Sequence, residues 1–580
     1  MYANEPLVLE LMSLLRSHEV KHIVISPGSR HYAFTRSFEN DDYFSLYSIV
    51  DERSAAFFAL GLIQATGESA AVICTSGTAS INYGSAIAEA YYQKLPLVAI
   101  TADRLPDFLH QMEDQMLDQR QLFEGFVRLT VQLRPITSER DRWYCNRVIN
   151  EALLEAQDEG GGPVHINVPI ESHTNVQFDT VALPDARVIK RHRPGADEGA
   201  WSDIASRLTG KRVLLLWGQT AEVSERTLTA LTSFASILDV SVFADHLSNV
   251  HHPIRVTNPL GLLKSLSPSS TDMRPDIVIT LGGNIVFKEE SKSYLAGVDF
   301  EHWRVDSDGK VSDLYRKLTD VIATKPYVFF EQVVAASESV EEEHTFAKRM
   351  LNAGSSIDSP KASYGELAII GELMKRLPVN SALHIANSAP IRMTQLYPLD
   401  SSIAVFCNRG VNGIDGCMST AIGYAAARPD RQVFLIIGDL TFFYDMNSLW
   451  NRHLPTNLRI LLINNDGGAI MHSPLPKDYN DRASRHVSAG HHTSAQGWIE
   501  SLGLAYSSAR TAGDAKSQLD WLVNPSADES RVVEVFTEKV SDIQQLRSYY
   551  GRLHEVTGAQ RFKGRARRSV GRVLRTLHLR

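Results

Sequence analysis

Cysteine is scarce in this 580-residue sequence, which contains four: Cys74, Cys145, Cys407 and Cys417. They are scattered among apolar neighbours, and no two form a CxxC pair. Neither a disulfide framework nor a zinc site is therefore indicated. We expect free, buried thiols in a reducing cytoplasm.

Long apolar runs are also lacking, since no stretch reaches the roughly 20 residues that a membrane-spanning helix needs. The first residues, MYANEPLVLELMSLLRSHEV, do not combine a basic region with an apolar stretch, so no signal peptide is expected. The formal net charge of −8 argues against general nucleic-acid binding. These absences predict a cytoplasmic globular protein.

Short apolar runs alternate with segments of helical length, and the chain is too long for one core. This alternation predicts an α/β protein with three doubly wound parallel-sheet domains, at residues 1–180, 200–324 and 363–557. Residues 182–199 are expected to be a linker, and residues 325–362 a helix and a crossing linker. The first and third domains look like two copies of one architecture.

The predicted strands come from the apolar runs. In the first domain they are HIVIS, the run 44–50, AAVIC and PLVAITADR. In the second domain they are RVLLLWGQ, VSVFADHL, DIVITLGGNIV and WRVDSDG, and in the third SALHIANS, IAVFCNRG, VFLII, ILLI and VVEVF.

Residues 558–580 form a basic tail with eight Arg or Lys residues and no acidic residue. Its apolar residues share one face of a predicted amphipathic helix: Val570, Val573, Leu574 and Leu577. Such a helix could pack on the protein body or on a neighbouring subunit. A contact with an anionic membrane surface or another polyanion is the alternative.

Residues 432–468 carry the strongest chemical signal. One apolar run ends in Gly438-Asp439 and another in Asn464-Asn465, with a segment of helical length between them. The buried face of that helix would consist of Met446, Leu449, Trp450 and Leu454. The pattern predicts a βαβ unit with parallel strands, whose polar ends meet at the edge where such sheets bind ligands.

The residue types at this edge are those of a magnesium site. Asp439 offers an anionic oxygen, and Asn465, 26 positions later, offers a neutral carbonyl oxygen. Gly467 and Gly468 allow the tight turn that brings a backbone carbonyl inward. Few protein oxygens, with room for phosphate oxygens, suit Mg²⁺ bound together with a diphosphate. The alternative is an ordinary pair of strands with polar ends, but the paired motif resembles that of thiamine diphosphate (ThDP) enzymes.

ThDP chemistry also needs a carboxylic acid beside the aminopyrimidine ring of the cofactor. Glu52 follows the predicted strand 44–50 and precedes the small and apolar residues of DERSAAFFALG. Burial at such a position raises the pKa of a carboxyl group. A helix N-terminal acid, stabilised by the helix dipole, is the alternative. Because Asp439 and Asn465 are also present, we predict that Glu52 activates the cofactor.

Seven motifs together closely resemble one ThDP enzyme family, the 2-succinyl-5-enolpyruvyl-6-hydroxy-3-cyclohexene-1-carboxylate (SEPHCHC) synthases of menaquinone biosynthesis. In chain order they are SPGSR (26–30), YSIVDERSAAFFALG (47–61), CTSGTA (74–79), TADR (101–104), NRGVNGIDG (408–416), GDLTFFYDMNSL (438–449) and NNDGG (464–468). The resemblance implies a transferase that decarboxylates 2-oxoglutarate and transfers a succinyl carbanion equivalent to isochorismate. It further implies ThDP with Mg²⁺ or Mn²⁺, in a homodimer or homotetramer whose cofactor lies between the first domain of one subunit and the third of its partner.

The resemblance also implies roles for single residues. Glu52 would activate the cofactor, and Ile414 would hold it bent. The metal would be bound by Asp439, Asn465 and the Gly467 carbonyl. Further cofactor contacts are expected from Ser76, Gly77, Thr78, Gln115, Gly413, Gly438, Leu440 and Gly468. The distal carboxylate of 2-oxoglutarate would be held by Ser388, Arg392 and Arg409, since arginine binds carboxylates in a bidentate manner. The second substrate would face Ser29, Arg30, Arg104, Gln115 and Lys288.

The sequence departs from the family pattern mainly on the acceptor side. Residues 31–34 read HYAF where the family has a polar residue and Pro-Leu, and Met471 stands where an aromatic is common. Asp114 replaces a neutral residue, and Glu289 replaces one member of a basic pair. Two added acids would reduce the cationic field, so we expect weaker isochorismate binding or a less anionic acceptor.

Three alternative functions are compatible with parts of this sequence. A related ThDP-dependent 2-oxo acid decarboxylase or carboligase with a different acceptor stays open. A cofactor-binding scaffold without catalysis is disfavoured by the presence of Glu52, Asp439 and Asn465. The DERSAAFFALG and NRG motifs argue against a flavin-dependent acetolactate synthase.

Overall fold

The computed structural model describes residues 1–171, 176–191, 199–266, 271–337, 343–469 and 486–553. Three β-sheets of six, five and six strands follow one another along this part of the chain. The paired strands in each sheet run parallel. The predicted α/β class with three doubly wound parallel sheets is confirmed. Each sheet lies within one of the predicted domain ranges, whose boundaries stay predictions.

The central strands of the first sheet are buried on both faces. Its strands are β1 His22–Ile25, β2 Ser45–Ser48, β3 Ala70–Cys74, β4 Leu97–Asp103, β5 Leu129–Gln132 and β6 Val164–Pro169. The helices are α1 Pro6–Ser17, α2 Tyr32–Glu39, α3 Glu52–Thr66, α4 Thr78–Asn82, α5 Gly84–Gln93 and α6 Glu139–Gln157, with a 3-10 helix at Pro106–Phe108. Alternate residues of β3 enter different cores, Ala71 and Ile73 one and Val72 and Cys74 the other. Burial on both sides explains why β3 reads as a continuous apolar run.

The second domain has a five-stranded sheet. Its strands are β7 Val213–Trp217, β8 Val240–Ala244, β9 Ile277–Leu281, β10 Glu301–Val305 and β11 Leu318–Ile322, in the spatial order β11-β10-β9-β7-β8. Its helices are α7 Gly199–Leu208, α8 Glu225–Ile237, α9 Pro259–Ser265 and α10 Lys288–Leu295, with 3-10 helices at His246–Ser248 and Thr271–Met273. The segment 325–362 contains α11 Pro326–Ala336 and α12 Thr345–Ser355. Phe329 and Phe330 of α11 pack into the core of the second domain against Phe234.

The third domain repeats the architecture of the first. Its strands are β12 Ala382–Ile385, β13 Ala404–Phe406, β14 Val433–Gly438, β15 Leu458–Asn464, β16 Ala505–Ala509 and β17 Arg531–Phe536. Its helices are α13 Glu366–Met374, α14 Ala389–Thr394, α15 Cys417–Ala427, α16 Asp439–Tyr444, α17 Gln496–Ser501 and α18 Ala512–Leu522, and residues 539–553 are also helical. The spatial orders are β2-β1-β3-β4-β6-β5 and β13-β12-β14-β15-β17-β16. Counted from the first strand of each domain, the two orders are identical.

The predicted βαβ unit is present, but its helix is broken. Strands β14 and β15 are parallel neighbours, so the two polar ends do meet at one sheet edge. Between them lie the short α16 and a 3-10 helix, Met446–Leu449, instead of one continuous helix. Trp450, predicted to be buried, is 48% exposed. The break occurs at Asp445, whose carboxylate turns inward and accepts hydrogen bonds from the backbone N–H and hydroxyl of Ser419 at 2.7 and 2.6 Å.

Helices α3 and α15 join the first and third domains. A Cβ atom on Gly61 of α3 would lie 2.1 Å from the backbone oxygen of Thr420 in α15. A Cβ atom on Gly423 of α15 would lie 2.1 Å from the backbone oxygen of Phe58 in α3. The two glycines thus allow the helix backbones to touch, and residues around them form one core shared by both domains.

Several predictions from the sequence concern the ends and connections of these domains. The four cysteines are buried and free, as expected. No helix within the described ranges is long and apolar enough to cross a bilayer. The predicted basic helix at 558–580, Met471 and residues 192–198 of the expected linker lie outside the described residues.

Candidate functional site

Asp439 is fixed by the backbone at the end of β14. It is the first residue of α16 and is 3% exposed. Its Oδ2 atom accepts hydrogen bonds from the N–H groups of Asn465 at 3.2 Å and Gly467 at 2.9 Å. The N–H of Leu440 donates to Oδ1 at 2.6 Å. Burial raises the pKa of Asp439, and these N–H donors offset part of the rise. The carboxylate is therefore held in one orientation beside Asn465 and Gly467.

The amide of Asn465 is oriented by two acids that the sequence did not reveal. Its Nδ2 atom lies 3.5 Å from Glu366 Oε2 and 3.4 Å from Asp542 Oδ2. Because the amide nitrogen donates and the carboxylates accept, these contacts assign the other amide atom, the carbonyl oxygen, to the ligand side. Glu366 is 2% exposed. Burial, with the nearby Asp542 and Asp439 carboxylates, raises the pKa of Glu366 well above its usual range.

The glycines at this edge of the sheet have different structural roles. Gly467 has φ of +121°, and a Cβ there would lie 2.4 Å from the backbone oxygen of Ser488. The N–H of Gly468 donates to that same oxygen at 2.7 Å, so the turn packs directly on the segment around Ser488. A Cβ on Gly438, in contrast, would meet no atom within 4 Å. The absence of a side chain at Gly438 leaves space next to Asp439.

His491 is a second neighbour of Asp439 that the sequence did not indicate. Its Nε2 atom lies 3.3 Å from Asp439 Oδ2. Its Nδ1 atom accepts a hydrogen bond from the N–H of Thr493 at 3.1 Å, which assigns the ring proton to Nε2. His491 lies in a loop rather than at a strand end, so no spacing rule could have identified it.

Glu52 begins helix α3 and is partly buried. The side chain of Asn82 donates a hydrogen bond to its Oε2 atom at 3.4 Å. Burial raises the pKa of Glu52, the direction expected from the sequence, although hydrogen bonds to its carboxylate offset part of the rise. This side-chain partner belongs to the first domain. The contacts described within one chain therefore do not bring Glu52 to Asp439.

The glycine loop after β3 lies against Gln115. Gly77 has φ of +81°, and a Cβ there would lie 3.0 Å from Gln115 Cγ. Gln119 Oε1 accepts a hydrogen bond from the Gly77 N–H at 2.9 Å. Ser76 is buried, and Thr78 starts α4. The structure thus brings together Ser76, Gly77, Thr78 and Gln115, and adds Gln119 as the residue that fixes the loop.

The loop 408–416 is closed by Asn387. The Asn387 Nδ2 atom donates to the backbone oxygens of Asn408 at 2.5 Å and Gly413 at 2.7 Å. Arg409 is 5% exposed, and its Nη1 atom donates to Asn387 Oδ1 at 3.3 Å. Among the described residues the buried Nε atom of Arg409 has no hydrogen-bond partner, so it is available to a ligand. Ile414 is only partly buried within the chain.

Two other predicted donor-site residues lie next to this loop in sequence or structure. Ser388 follows Asn387 directly and is the residue before α14, with φ of +79°. Arg392 lies one helical turn further along α14 and is partly buried. The structure therefore places Ser388 at the Arg409 corner, with Arg392 on the helix that begins there.

Arg30 and Arg104 are close neighbours at the edge of the first sheet. Arg30 is 6% exposed, and burial and then the charge of Arg104 lower its pKa. The Nη1 atom of Arg104 lies 2.9 Å from Glu113 Oε1, so the acid that contacts this pair is Glu113. Asp114 is exposed. The structure gives a cationic pair whose acidic neighbours are Glu113 and Asp103, and two neighbouring guanidinium groups are suited to bind an anion.

The remaining acceptor-side residues are more exposed. Ser29 is exposed, and Lys288 is the partly buried first residue of α10. Glu289 pairs with Lys292 at 3.2 Å and has a side chain 62% exposed. The predicted repulsion of an anionic acceptor by Asp114 and Glu289 stays a prediction.

The donor set at the third sheet suits a hard cation. It comprises one oriented carboxylate, one amide oxygen and the backbone turn at Gly467, next to the open space at Gly438. Oxygen ligands with room for phosphate oxygens are the preference of Mg²⁺. No cluster of three or more His, Cys, Asp or Glu side chains with metal-binding geometry occurs in the described part of the chain.

Comparison with known proteins gives two kinds of match. Residues 10–122 match the family "Thiamine pyrophosphate enzyme, N-terminal TPP binding domain", and residues 389–535 match "Thiamine pyrophosphate enzyme, C-terminal TPP binding domain". The two matches cover the glycine loop of the first sheet and the Asp439 edge of the third.

Curated relatives match over almost the whole chain. The 2-succinyl-5-enolpyruvyl-6-hydroxy-3-cyclohexene-1-carboxylate synthase of Phocaeicola vulgatus is 39% identical over 560 residues, covering 95% of this chain and 99% of its own. The synthase of the same name from Bacteroides fragilis is 40% identical over 564 residues, covering 95% and 100%. The one from Flavobacterium psychrophilum is 32% identical over 558 residues, covering 94% and 98%.

Proposed function

Because the chain belongs to the SEPHCHC synthase family of ThDP enzymes, we propose that it decarboxylates 2-oxoglutarate and transfers the succinyl unit to isochorismate. The observation that carries the proposal is the Asp439 edge. There, backbone N–H groups orient a buried carboxylate beside Asn465 and Gly467.

The cofactor is ThDP, and we propose that Mg²⁺ or Mn²⁺ anchors its diphosphate. The metal ligands would be Asp439, Asn465 and the Gly467 carbonyl, with the diphosphate in the space beside Gly438. When bound, ThDP supplies the carbon nucleophile and stabilises the negative charge that decarboxylation leaves. Glu52 would hold a proton against the aminopyrimidine ring, a task supported by the raised pKa of its carboxyl group.

The donor would be selected by its distal carboxylate. Arg409 offers a buried guanidinium whose Nε atom lacks a partner among the described residues, and Ser388 lies at the same corner. Arg392, on the helix that starts there, would supply the second guanidinium. A five-carbon 2-oxo diacid would therefore bind better than pyruvate, which has no distal carboxylate.

The acceptor would be held at the first sheet. Arg30 and Arg104 form the cationic pair there, and Ser29, Gln115 and Lys288 would complete the site. Asp114 and Glu289 keep open the second candidate, a related 2-oxo acid decarboxylase or carboligase with a less anionic acceptor.

A complete site would need two subunits. The side-chain partner of Glu52 within one chain is Asn82 of its own domain, which fits a cofactor held between the first domain of one subunit and the third of its partner. A homodimer would be the smallest active unit, and a homotetramer would contain two of them. Four buried free cysteines fit the reducing cytoplasm that we propose as the location.

Product analysis tests the proposal. The purified protein would be mixed with 2-oxoglutarate, ThDP and Mg²⁺, with and without isochorismate, and the products identified by mass spectrometry. The proposal expects isochorismate-dependent release of CO₂ and formation of the SEPHCHC adduct. Decarboxylation that is independent of isochorismate would instead favour the second candidate.

A separate variant tests the assignment of 2-oxoglutarate as the donor. Arg392→Ala should raise the KM for 2-oxoglutarate well over tenfold and leave pyruvate use nearly unchanged, because losing one partner of a buried charge pair costs about 2–5 kcal/mol. A wild-type enzyme that prefers pyruvate would contradict the assignment of 2-oxoglutarate as donor.

A further inference from the structure

The backbone around Arg409 is held by a carboxylate from the first domain. Glu89 lies on α5 and is 1% exposed. Its Oε1 atom accepts a hydrogen bond from the Gly410 N–H at 2.6 Å, and its Oε2 atom accepts one from the Val411 N–H at 2.7 Å. Gln93, one turn further on the same helix, donates to Oε1 at 2.5 Å. Both carboxylate oxygens thus hold the two residues that follow Arg409.

The second domain holds the same loop from the other side. Asn284 Nδ2 donates to the backbone oxygens of Arg409 and Gly410, the latter at 3.0 Å. Gln219 Nε2 donates to the backbone oxygen of Cys407 at 2.8 Å. Gln219 also donates to Gln93 Oε1 at 3.1 Å, which links the anchors of the first and second domains.

The loop that follows Arg409 packs closely against Glu89. A Cβ atom on Gly410 would lie 2.7 Å from the backbone oxygen of Glu89 and 3.0 Å from its carboxyl carbon. The charge of Arg409 also acts on Asp245 of the second domain, where it offsets part of the rise that burial causes in the Asp245 pKa. Three domains therefore determine where the Arg409 backbone lies.

We propose that Glu89 and Asn284 are positioning residues that present the Arg409 guanidinium to the distal carboxylate of the donor. The assignment rests on the proposed function, in which Arg409 binds that carboxylate. Glu89 fixes the N–H groups after Arg409, and Asn284 fixes its carbonyl. Selection of a diacid donor then depends on the three domains being docked together, although neither residue contacts the donor itself.

The variant Glu89→Gln tests the first anchor. It keeps the side-chain shape and one acceptor oxygen, but it places an NH₂ group against one of the two backbone N–H donors. We expect the ratio of kcat/KM for 2-oxoglutarate to kcat/KM for pyruvate to fall at least tenfold, mainly through a higher KM for 2-oxoglutarate. CO₂ release would be measured for both substrates with the ThDP- and metal-loaded wild-type and variant enzymes.

Asp239→Asn is the matched control. Asp239 is also buried and accepts hydrogen bonds from two successive backbone N–H groups, Phe346 at 2.8 Å and Ala347 at 2.9 Å, but these lie at the start of α12. This variant should keep the wild-type substrate ratio. If both variants lower the ratio equally, the Glu89 effect is general destabilisation and the assignment is overturned.

Asn284→Ala provides a second route if Glu89→Gln does not fold. Asn284 is only partly buried, and its loss should lower the same ratio by removing the anchor from the second domain. A folded Asn284→Ala variant that keeps the wild-type ratio would overturn the positioning role but not the proposed function. A wild-type enzyme that does not prefer 2-oxoglutarate would overturn the proposed function together with it, so the wild type is measured first.

Discussion

At the scale of single residues, the chain holds its chemically important groups through backbone contacts. Three N–H groups orient the Asp439 carboxylate, and Asn387 closes the loop of Arg409 through two backbone carbonyls. Backbone anchors leave side-chain atoms such as Arg409 Nε available to ligands. The ligand-facing edge of the third sheet thus has its geometry fixed before a ligand binds.

Asp439→Ala should abolish Mg²⁺-dependent binding of ThDP. The variant removes the only carboxylate of the proposed metal ligand set, so the diphosphate would enter the site without its cation. Isothermal titration calorimetry with ThDP in the presence of Mg²⁺ measures this. Asp430→Ala, which removes an exposed acid of the same domain, should bind like the wild type. Unchanged affinity in Asp439→Ala would refute the metal assignment.

Glu52→Gln should fold, bind ThDP and lose most turnover. Glutamine has the length and shape of glutamate and can still accept the hydrogen bond from Asn82. It cannot hold the proton that the aminopyrimidine ring requires. We expect kcat to fall by about 10²-fold or more, the usual size of a lost acid–base contribution. Steady-state kinetics with calorimetry of ThDP binding separates the two effects, and near-normal kcat would remove Glu52 from the mechanism.

At the scale of elements, Asp445 explains why the segment after Asp439 is not one helix. Its carboxylate caps the start of α15 by accepting hydrogen bonds from the backbone N–H and the hydroxyl of Ser419. Burial is the largest influence on this carboxyl group and raises its pKa to about 7, with the Ser419 hydrogen bonds opposing it. The cap of α15 is therefore linked to pH in the neutral range.

Asp445→Asn should change the pH dependence of stability. Because the folded-state pKa lies above the unfolded value, the folded wild type binds a proton that the unfolded chain releases, and its stability falls as pH rises from about 4 to about 7. Asparagine does not titrate, so the variant lacks this pH-dependent loss of stability. The Tm of the variant relative to the wild type should rise over that range and level off above it. Calorimetric scans from pH 5 to pH 8 measure the difference, and a constant difference would contradict the prediction.

The elements also show which parts of the fold could be predicted from the sequence. Strands β14 and β15 are central, fully or almost fully buried and mostly apolar, so their ends located Asp439 and Asn465 correctly beside each other. Strands β5, β11 and β16 were not predicted, because they lie at sheet edges and are only partly buried. Strand β6 was missed for another reason. It alternates apolar residues with His165 and Asn167, whose buried side chains both bond Thr101.

The site residues also divide into those that the sequence could predict and those that it could not. Residues at strand ends, such as Glu52 and Asp439, carry a spacing signal. Glu89, Glu366 and His491 act through tertiary contacts with residues 52 to 322 positions away, and no local pattern marks them. Only the folded chain brings these residues to the site.

At the scale of the whole molecule, the contact between α3 and α15 determines how the first and third domains meet. Gly61→Ala and Gly423→Ala should each destabilise the protein by at least about 2 kcal/mol, since overpacking typically costs 1–3 kcal/mol and here the new methyl meets a backbone oxygen. Gly84→Ala is the control, because a Cβ on this helical glycine meets nothing within 4 Å. Chemical denaturation followed by circular dichroism gives the three values, and stabilities equal to that of the control would refute the close approach.

The identical strand orders of the first and third domains have a consequence for how the site is divided. Helix α3 follows the second strand of its domain, and α15 follows the second strand of its own, so the two glycine contacts occupy equivalent places in the two domains. The same correspondence relates the strand ends. The Glu52 end of β2 corresponds to the Ile414 loop after β13, and the Gly77 loop after β3 corresponds to Asp439 after β14. In the proposed function each half of the chain would use an equivalent edge for a different half of one cofactor, as two diverged copies of a single ancestral unit would.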